Sequence, residues 1–290
     1  MNTARYVVSS SSDFMAHGLF GQSLTWAMEC VIAMEKAHIK PEDVLWNIDT
    51  RAYGKVIPGI LNPKSTWGTP DQHETPVELD LYAYKSGYGH RFALDESSFT
   101  LAHNALHRWF RLSDVSIGMV PEGLTDAWLG AHYRGTDKQT DTNETDATSI
   151  DSFIVFMEDM CQRFSFEGVF ICSDSSAFID QMGDSFHGIP VMSIKQERSS
   201  DERSLHMDLI PDDDTKKFEM ALVAMADTIA LSQCGHVLKC SSALSAWAKV
   251  LQPRCQLHQV AVTRHPWFPV SVVPMYQPAS AAAKKAMGRS

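Results

Sequence analysis

The sequence predicts an α/β protein of two lobes with a cleft between them. Three observations carry this. The 290 residues give room for about two domains of ~100–200 residues each. Apolar residues at 44% and charged residues at 21% are ordinary for a folded globular chain. The second half alternates strand-like and helix-like segments, the pattern of βαβ units around a parallel sheet. The boundary falls near residues 120–128. That gives an N-terminal lobe over 1–122, a C-terminal lobe over 123–270 and a tail over 271–290.

In chain order, Tyr6-Val7-Val8 reads as a short strand running into Ser9–Ser12. The turn Gly18-Leu19-Phe20-Gly21-Gln22 follows, and then a stretch from Leu24 to Ile39 that is apolar on nearly every face, as a buried helix is. Pro41-Glu42-Asp43 breaks it, and Val44–Ile48 is a second strand. Residues 53–77, rich in Gly, Pro, Thr and Asn, read as a long loop. A helix over Ser98–Arg111 and a strand over Val115–Val120 complete the first lobe.

The second lobe starts with a strand at Leu129–Arg134 and a helix at Ile150–Phe164. A strand at Gly168–Cys172, a short helix at Ser176–Gly183 and a strand at Ile189–Ile194 follow. Asp212-Asp213-Asp214 precedes a helix over Thr215–Leu231, where acids suit the free N–H groups of the first turn. Phe218, Leu222, Met225 and Ile229 form its apolar stripe. Asp227 lies off that stripe, so simple solvent exposure is its plainest reading. His236–Lys239 is a strand and Ala243–Leu251 a helix, ended by Pro253. The polar segments Gln139–Ser149 and Gln196–Ser204 are either solvated surface or loops that close over a ligand. The last residues form a helix-prone basic tail.

Charge excludes several classes. With 25 basic against 35 acidic side chains the net charge is −10. A general nucleic-acid or anionic-membrane binder needs a basic footprint, so any bound phosphate rests on a few local residues. No run of ~18 apolar residues marks a membrane span. The N-terminus lacks a secretory core of ~7–15 apolar residues, so the expected location is cytoplasmic. Six cysteines without a CxxC pair read as reduced, mostly buried thiols. His103 and His107 share a helix face, but Asn104 stands where a zincin has Glu. No nucleophile elbow, Walker A loop or G-x-G-x-x-G occurs. Trp46 and Trp67 are candidates to stack on sugar faces, with core packing the plainer reading.

Three segments concentrate chemistry. His132-Tyr133-Arg134-Gly135-Thr136-Asp137-Lys138 begins at a strand's C-terminal end, where α/β sheets bind ligands. It combines two permanent cations with an imidazole, a hydroxyl and a carboxylate; Arg offers a planar fork for phosphate and Lys a point charge. A surface ion pair between Arg and Asp is the plain alternative. Cys172-Ser173-Asp174-Ser175 also ends a strand and opens a helix, so Asp174 or Ser175 is a candidate helix cap. The third segment runs from Asp227 through Leu231-Ser232-Gln233 to Lys239-Cys240-Ser241-Ser242. Its serine pair stands where a helix begins, with N–H groups free to hold a phosphate.

In this order and spacing the segments resemble the nucleotide-sugar domain of the fucosyltransferase superfamily that includes the α-1,6- and nodulation fucosyltransferases. His132–Lys138 matches the HxRxTDK block and Ser173-Asp174 the (T/S)-D block. Asp227 through Gln233 matches D-x-x-x-L-S-Q, and Ser241-Ser242 the serine pair. Ser204-Leu205-His206 resembles the loop before that helix, and Gly18–Gln22, more weakly, the first-lobe turn. The match covers residues 129–252 well and the N-terminal lobe poorly.

The resemblance implies a GT-B fold of two Rossmann-like lobes, no metal or other cofactor, and inverting transfer from a GDP-sugar, above all GDP-fucose, to a glycan acceptor. Arg134 would clamp the β-phosphate, with Lys138 in support. His132 and Asp227 would hydrogen-bond the guanine. Asp174 would orient the donor, with Ser175 beside it, and Ser242 or Ser241 would touch phosphate. Gly18 and Gly21 would line the first-lobe side.

The chain departs from the pattern in three places. Gly135 replaces a second Arg, Ser175 a second acid, and Thr142 a carboxylate for which Asp141 and Glu144 are neighbouring substitutes. Those two are the candidates for the general base that an inverting transfer uses. The alternatives are a transferase for another nucleotide-sugar, such as a UDP-sugar, and a non-catalytic nucleotide- or carbohydrate-binding protein.

Overall fold

A computed structural model describes residues 5–10, 19–65, 76–84, 95–135, 148–186, 188–196, 198–200, 211–260 and 273–288. The first half runs β1 (Tyr6–Ser9), α1 (Thr25–Lys36), β2 (Val44–Thr50), β3 (Gly54–Ile57), β4 (Leu61–Pro63), β5 (Val77–Asp80), α2 (Glu96–Trp109), β6 (Phe110–Leu112) and α3 (Asp114–Gly118). Its main sheet has the order β3-β2-β1-β5, with β2 and β5 parallel to β1 and β3 antiparallel to β2. Along β2 every second residue, Val44, Trp46, Ile48 and Thr50, is buried, the period-two pattern of a strand with one face on the core. Trp46 packs edge-on against Trp109 and Phe110, so it is a core residue. Trp67 lies outside the described residues.

Two expectations for this lobe are corrected. Residues 53–77 are not one long loop, since β3 and β4 lie within them; β4 pairs antiparallel with β6. Val115–Val120 is not a strand. Asp114–Gly118 is a short helix that leaves Val115 55% exposed. The strand is the preceding Phe110–Leu112, which finds β4 as a partner, whereas the apolar run after it finds no sheet edge.

The second half runs β7 (Trp128–Tyr133), α4 (Ile150–Phe164), β8 (Gly168–Ser173), α5 (Ser176–Ser185), β9 (Val191–Met192), α6 (Asp214–Gln233), β10 (His236–Lys239), α7 (Ala243–Leu251), β11 (Gln256–Gln259) and α8 (Ala281–Ala286). These strands form a parallel sheet of order β11-β10-β7-β8-β9. Counted within the sheet this is 3-2-1-4-5 read from the other edge, the Rossmann order. Every residue of β7 and β8 is buried, because helices cover both faces of a parallel sheet. The third strand is shorter than expected, two residues on the sheet edge. β5 and β11 were not legible, since both are short and polar: Val-Glu-Leu-Asp and Gln-Leu-His-Gln.

Alternation along β7 sorts the faces. Leu129, Ala131 and Tyr133 join Phe153, Met157 and Phe178 in a core under α4 and α5. Trp128, Phe170 and Val237 face the other way, in a cluster with α6 and α7 that continues into the first lobe through Trp247, Phe20 and Leu24. Gly130 lets α6 lie close on this face. A Cβ there would stand 2.9 Å from Leu231 Cδ2 and 3.0 Å from Val237 Cγ2. The lobes are also tied by hydrogen bonds: Trp247 Nε1 donates to Thr25 Oγ1 at 3.1 Å, and Ser116 Oγ to the Leu222 carbonyl at 3.0 Å. Among the described residues no helix is long and apolar enough to cross a membrane.

Candidate functional site

The order of the second sheet reverses between β7 and β10, and an α/β sheet binds ligands in the crevice outside the strand ends at such a switch point. Register places Cys172, His132, Lys239 and Gln259 opposite one another across β8, β7, β10 and β11. Beyond this polar row the chain leaves the sheet at Asp174, Arg134 and Ser241. Asp174 joins two strand ends. One carboxylate oxygen accepts from the Gly135 N–H at 3.3 Å, and the other lies 3.9 Å from Arg134 Nε. The Cys240 N–H donates to the His132 carbonyl at 3.1 Å, which ties in β10. Arg134 remains 18% exposed at its side chain.

Four side-chain atoms here are buried without a hydrogen-bond partner: His132 Nδ1, Arg198 Nε, Asp227 Oδ1 and Ser242 Oγ. Among the described residues only Ser23 Oγ and Trp46 Nε1 share that condition. An unpartnered buried polar group costs ~1–3 kcal/mol, so native chains leave few of them. Four of these six atoms concentrate around one crevice.

Asp227 overturns the expectation of solvent exposure, since it is only 2% exposed. The reason is the position of α6, which contacts β7 and β8 and also β3 and α3 of the first lobe. The side of the helix away from its stripe therefore faces protein. The second carboxylate oxygen of Asp227 accepts from Gln196 Nε2 at 3.0 Å. Burial raises its pKa to about 7, against the hydrogen bonds of Cys172 and Gln196 and the charge of Arg198. His132, 4% exposed, is pushed well below its ordinary value by burial and then by the Arg134 and Lys239 cations. It is a neutral imidazole at neutral pH.

Ser242 occupies the N-cap position of α7, yet its hydroxyl makes no capping bond. The free N–H groups of that first turn and the orphaned hydroxyl together suit an anion. Ser241 is buried beside it. Ser175 is a helix cap. Its hydroxyl accepts from the Phe178 N–H at 3.4 Å, and its own N–H donates to Ser173 Oγ at 3.1 Å. Gly21 is buried in a π-helical turn, Leu19–Leu24, that packs on α7 through Phe20 and Trp247. Gly18, Lys138, Asp141, Glu144 and Ser204–His206 lie outside the described residues.

Gly135 has a packing cause. A Cβ there would stand 2.6 Å from Tyr133 Cε1. That ring cannot give way, because it stacks on Phe178 at 4.7 Å, meets Phe153 edge-on and donates its hydroxyl to the Thr148 carbonyl. A cavity of about 420 Å³ opens beside the glycine, lined by Ser149, Asp151, Ser175, Gln181 and Ser199 among others.

Sequence reasoning gave no role to Cys172, Gln196, Arg198 or Lys239. Gln196 and Arg198 open a polar segment that reads as solvated surface or as a loop closing over a ligand, with no role for either side chain. Cys172 and Lys239 each end a strand inside a highlighted segment, where a row across the sheet is invisible to a one-dimensional reading. Elsewhere, the His103 and His107 rings meet edge-to-face with centroids 4.4 Å apart, and His103 Nδ1 lies 3.1 Å from the Val250 carbonyl. All six cysteines are free, five of them buried. Among the described residues no three His, Cys, Asp or Glu side chains converge to hold a metal ion.

No family model matches the chain, and no curated protein does. Among solved structures the chain is similar to fucosyltransferase NodZ from Bradyrhizobium, at 13% identity and a TM-score of 0.47, over 87% of this chain and 94% of that one. It is similar to POFUT1 in its apo form at 11% identity and 0.48, over 86% and 95%. For an Arabidopsis thaliana FUT1 mutant in complex with GDP, the values are 10% and 0.45, over 95% and 78%.

Proposed function

We propose that this chain is an inverting glycosyltransferase that moves a sugar, L-fucose, from a GDP-sugar to a hydroxyl of a glycan acceptor without a metal. The observation that carries the reading is the set of unpartnered buried atoms on His132, Asp227 and Ser242. Three separate motif segments deliver them to one switch-point crevice beside Arg134.

Each group then has a task. Ionised Asp227 accepts from the paired N–H donors of a guanine edge, and neutral His132 adds a hydrogen bond. The α7 N-terminus and Ser242 Oγ receive phosphate oxygens. Arg134, braced by Asp174, faces the β-phosphate, where negative charge grows as the bond from the anomeric carbon to the phosphate oxygen breaks. A fixed cation stabilises that charge without reorganising. The acceptor oxygen attacks the opposite face of the anomeric carbon and inverts it, and its proton passes to a base, for which Asp141 and Glu144 are the candidates. In-line positioning supplies much of the rest. The cavity beside Gly135 favours a second reading of the same site, a donor sugar bulkier than fucose.

The test is GDP release and sugar transfer from GDP-fucose to a glycan panel, with and without EDTA. Turnover that EDTA leaves intact and Arg134→Ala abolishes is expected. Turnover that requires an added divalent cation would contradict the metal-free reading, and turnover of a UDP-sugar alone would contradict the guanine contacts.

A further inference from the structure

Lys239 is a buried cation to which the scheme above gives no part. It ends β10, directly across from His132 on β7 and Gln259 on β11, and is 2% exposed. Its ammonium donates to the Cys240 carbonyl at 2.8 Å and to Gln259 Oε1 at 3.4 Å. Both acceptors are neutral, and among the described residues no carboxylate pairs with it. Taking an ammonium out of water without a counter-ion is costly, and an apolar side chain of the same length would fill the space without that cost. Burial accordingly lowers its pKa to about 8. Two residues further along the chain stands Ser241, followed by the orphaned Ser242 hydroxyl.

We infer that Lys239 is an electrostatic positioning residue for the pyrophosphate of a nucleotide. Its ammonium is a second fixed positive charge in the wall of the switch-point crevice, behind Arg134, and nucleotide binding is coupled to proton uptake by Lys239. The inference rests on the donor-site reading and extends it. In a low-dielectric interior a charge is weakly screened and acts over several ångströms. The coupling is reciprocal, so whatever the anion adds to the proton's affinity the proton adds to the anion's.

The groups around Lys239 leave it a clear pH window. On β7 and β8 stand His132, neutral above its lowered pKa, Arg134, and the Cys172 thiol, which burial raises far above its ordinary value. Beside it the Cys240 thiol is pushed up to about 11. From α6 comes Asp227, ionised above about 7 and bonded to Gln196 and Cys172. The second ionisation of a terminal phosphate has its midpoint near pH ~6 and is nearly complete at pH 7.5 and 8.5 alike.

The experiment is calorimetric titration of GDP into the full chain at pH 7.5 and 8.5, in two buffers of different ionisation heat. Wild type, Lys239→Met and Lys239→Arg are compared, each checked first for its unliganded melting temperature. Wild type is expected to take up roughly half a proton or more per GDP at pH 8.5, and to bind more weakly there than at pH 7.5. A rise of about one unit in the lysine's pKa on binding corresponds to ~10-fold in affinity, so Lys239→Met should bind ~10-fold more weakly at pH 7.5 and take up no proton. Lys239→Arg, permanently charged, should keep the affinity and lose the uptake, which decides the matter even where the Met variant fails to fold. GDP binding by wild type without proton uptake, or uptake that survives both substitutions, overturns the inference alone. Failure of wild type to bind GDP overturns the donor-site reading and the inference with it.

Discussion

Asp227 is 2% exposed, and one of its carboxylate oxygens has no partner. Its pKa, ordinarily 3.8, is raised by burial to about 7. The sign of the stability effect follows. Below about pH 4 the group is protonated in both the folded and the unfolded chain. Between about pH 4 and 7 the unfolded chain ionises while the folded one holds its proton, so stability falls across that window and stays reduced above it. The deficit is on the order of 4 kcal/mol. Asp227→Asn removes the titration but keeps an acceptor for Gln196. At pH 8 this variant should melt above wild type, with the gap closing toward pH 4, and GDP should no longer stabilise it. Equal melting at both pH values would show that the carboxylate carries no such strain. The sequence could name Asp227 only through a motif, because its burial depends on the first lobe covering the back of α6.

Gly135 and Asp159 show how elements hold the site and its frame. Tyr133 sits between Phe153 of α4 and Phe178 of α5, and its ring edge fills the space a Cβ at residue 135 would take. Gly135→Ala must displace that ring or the end of β7, at a cost of ~1–3 kcal/mol. Denaturant unfolding should show this loss, and no loss would mean the loop simply shifts. Asp159 on α4 is buried and accepts from the Tyr276 hydroxyl and from the N–H groups of Ala279 at 3.1 Å and Ser280 at 2.5 Å. Burial acts to raise its pKa, but these hydrogen bonds outweigh it and leave the group below its ordinary value. A lowered carboxylate pKa stabilises the fold above the ordinary value, and that stability is lost as pH falls through the folded one. Asp159→Ala strands three donors, so ~3 kcal/mol should be lost, and hydrogen exchange should show α8 and residues 275–280 opening first. Unchanged protection there would contradict this anchoring. The long periodic elements of the second lobe were legible for the same reason that they frame the site. α4, β10 and α7 have the expected bounds, because their apolar pattern faces a core. β5 and β11 have almost no such pattern, and what defines them is the neighbouring strand.

At the scale of the whole molecule, a mixed sheet and a parallel sheet share one hydrophobic cluster, and the second sheet carries its polar groups at the point where strand order reverses. Strand order cannot be read from a one-dimensional pattern. Yet three segments scattered over residues 132–242 stand out in the sequence, by their chemistry and, for Asp227, through a motif, and this order brings them together. What stayed hidden is the supporting layer of Gln196, Arg198, Cys172 and Lys239, whose importance comes from contacts across strands and loops. The central claim is that a guanine nucleotide completes this crevice. The most direct measurement is a thermal-shift comparison of GDP, UDP, ADP and CMP in EDTA, on wild type and Arg134→Ala. A ligand that binds only the folded state stabilises it by ~2.7 kcal/mol at 100 times its Kd, which for a chain of this size is roughly 5 °C. A shift of that order for GDP alone, lost in Arg134→Ala, is the predicted result. A shift for UDP instead of GDP, or a GDP shift that survives in Arg134→Ala, would contradict it.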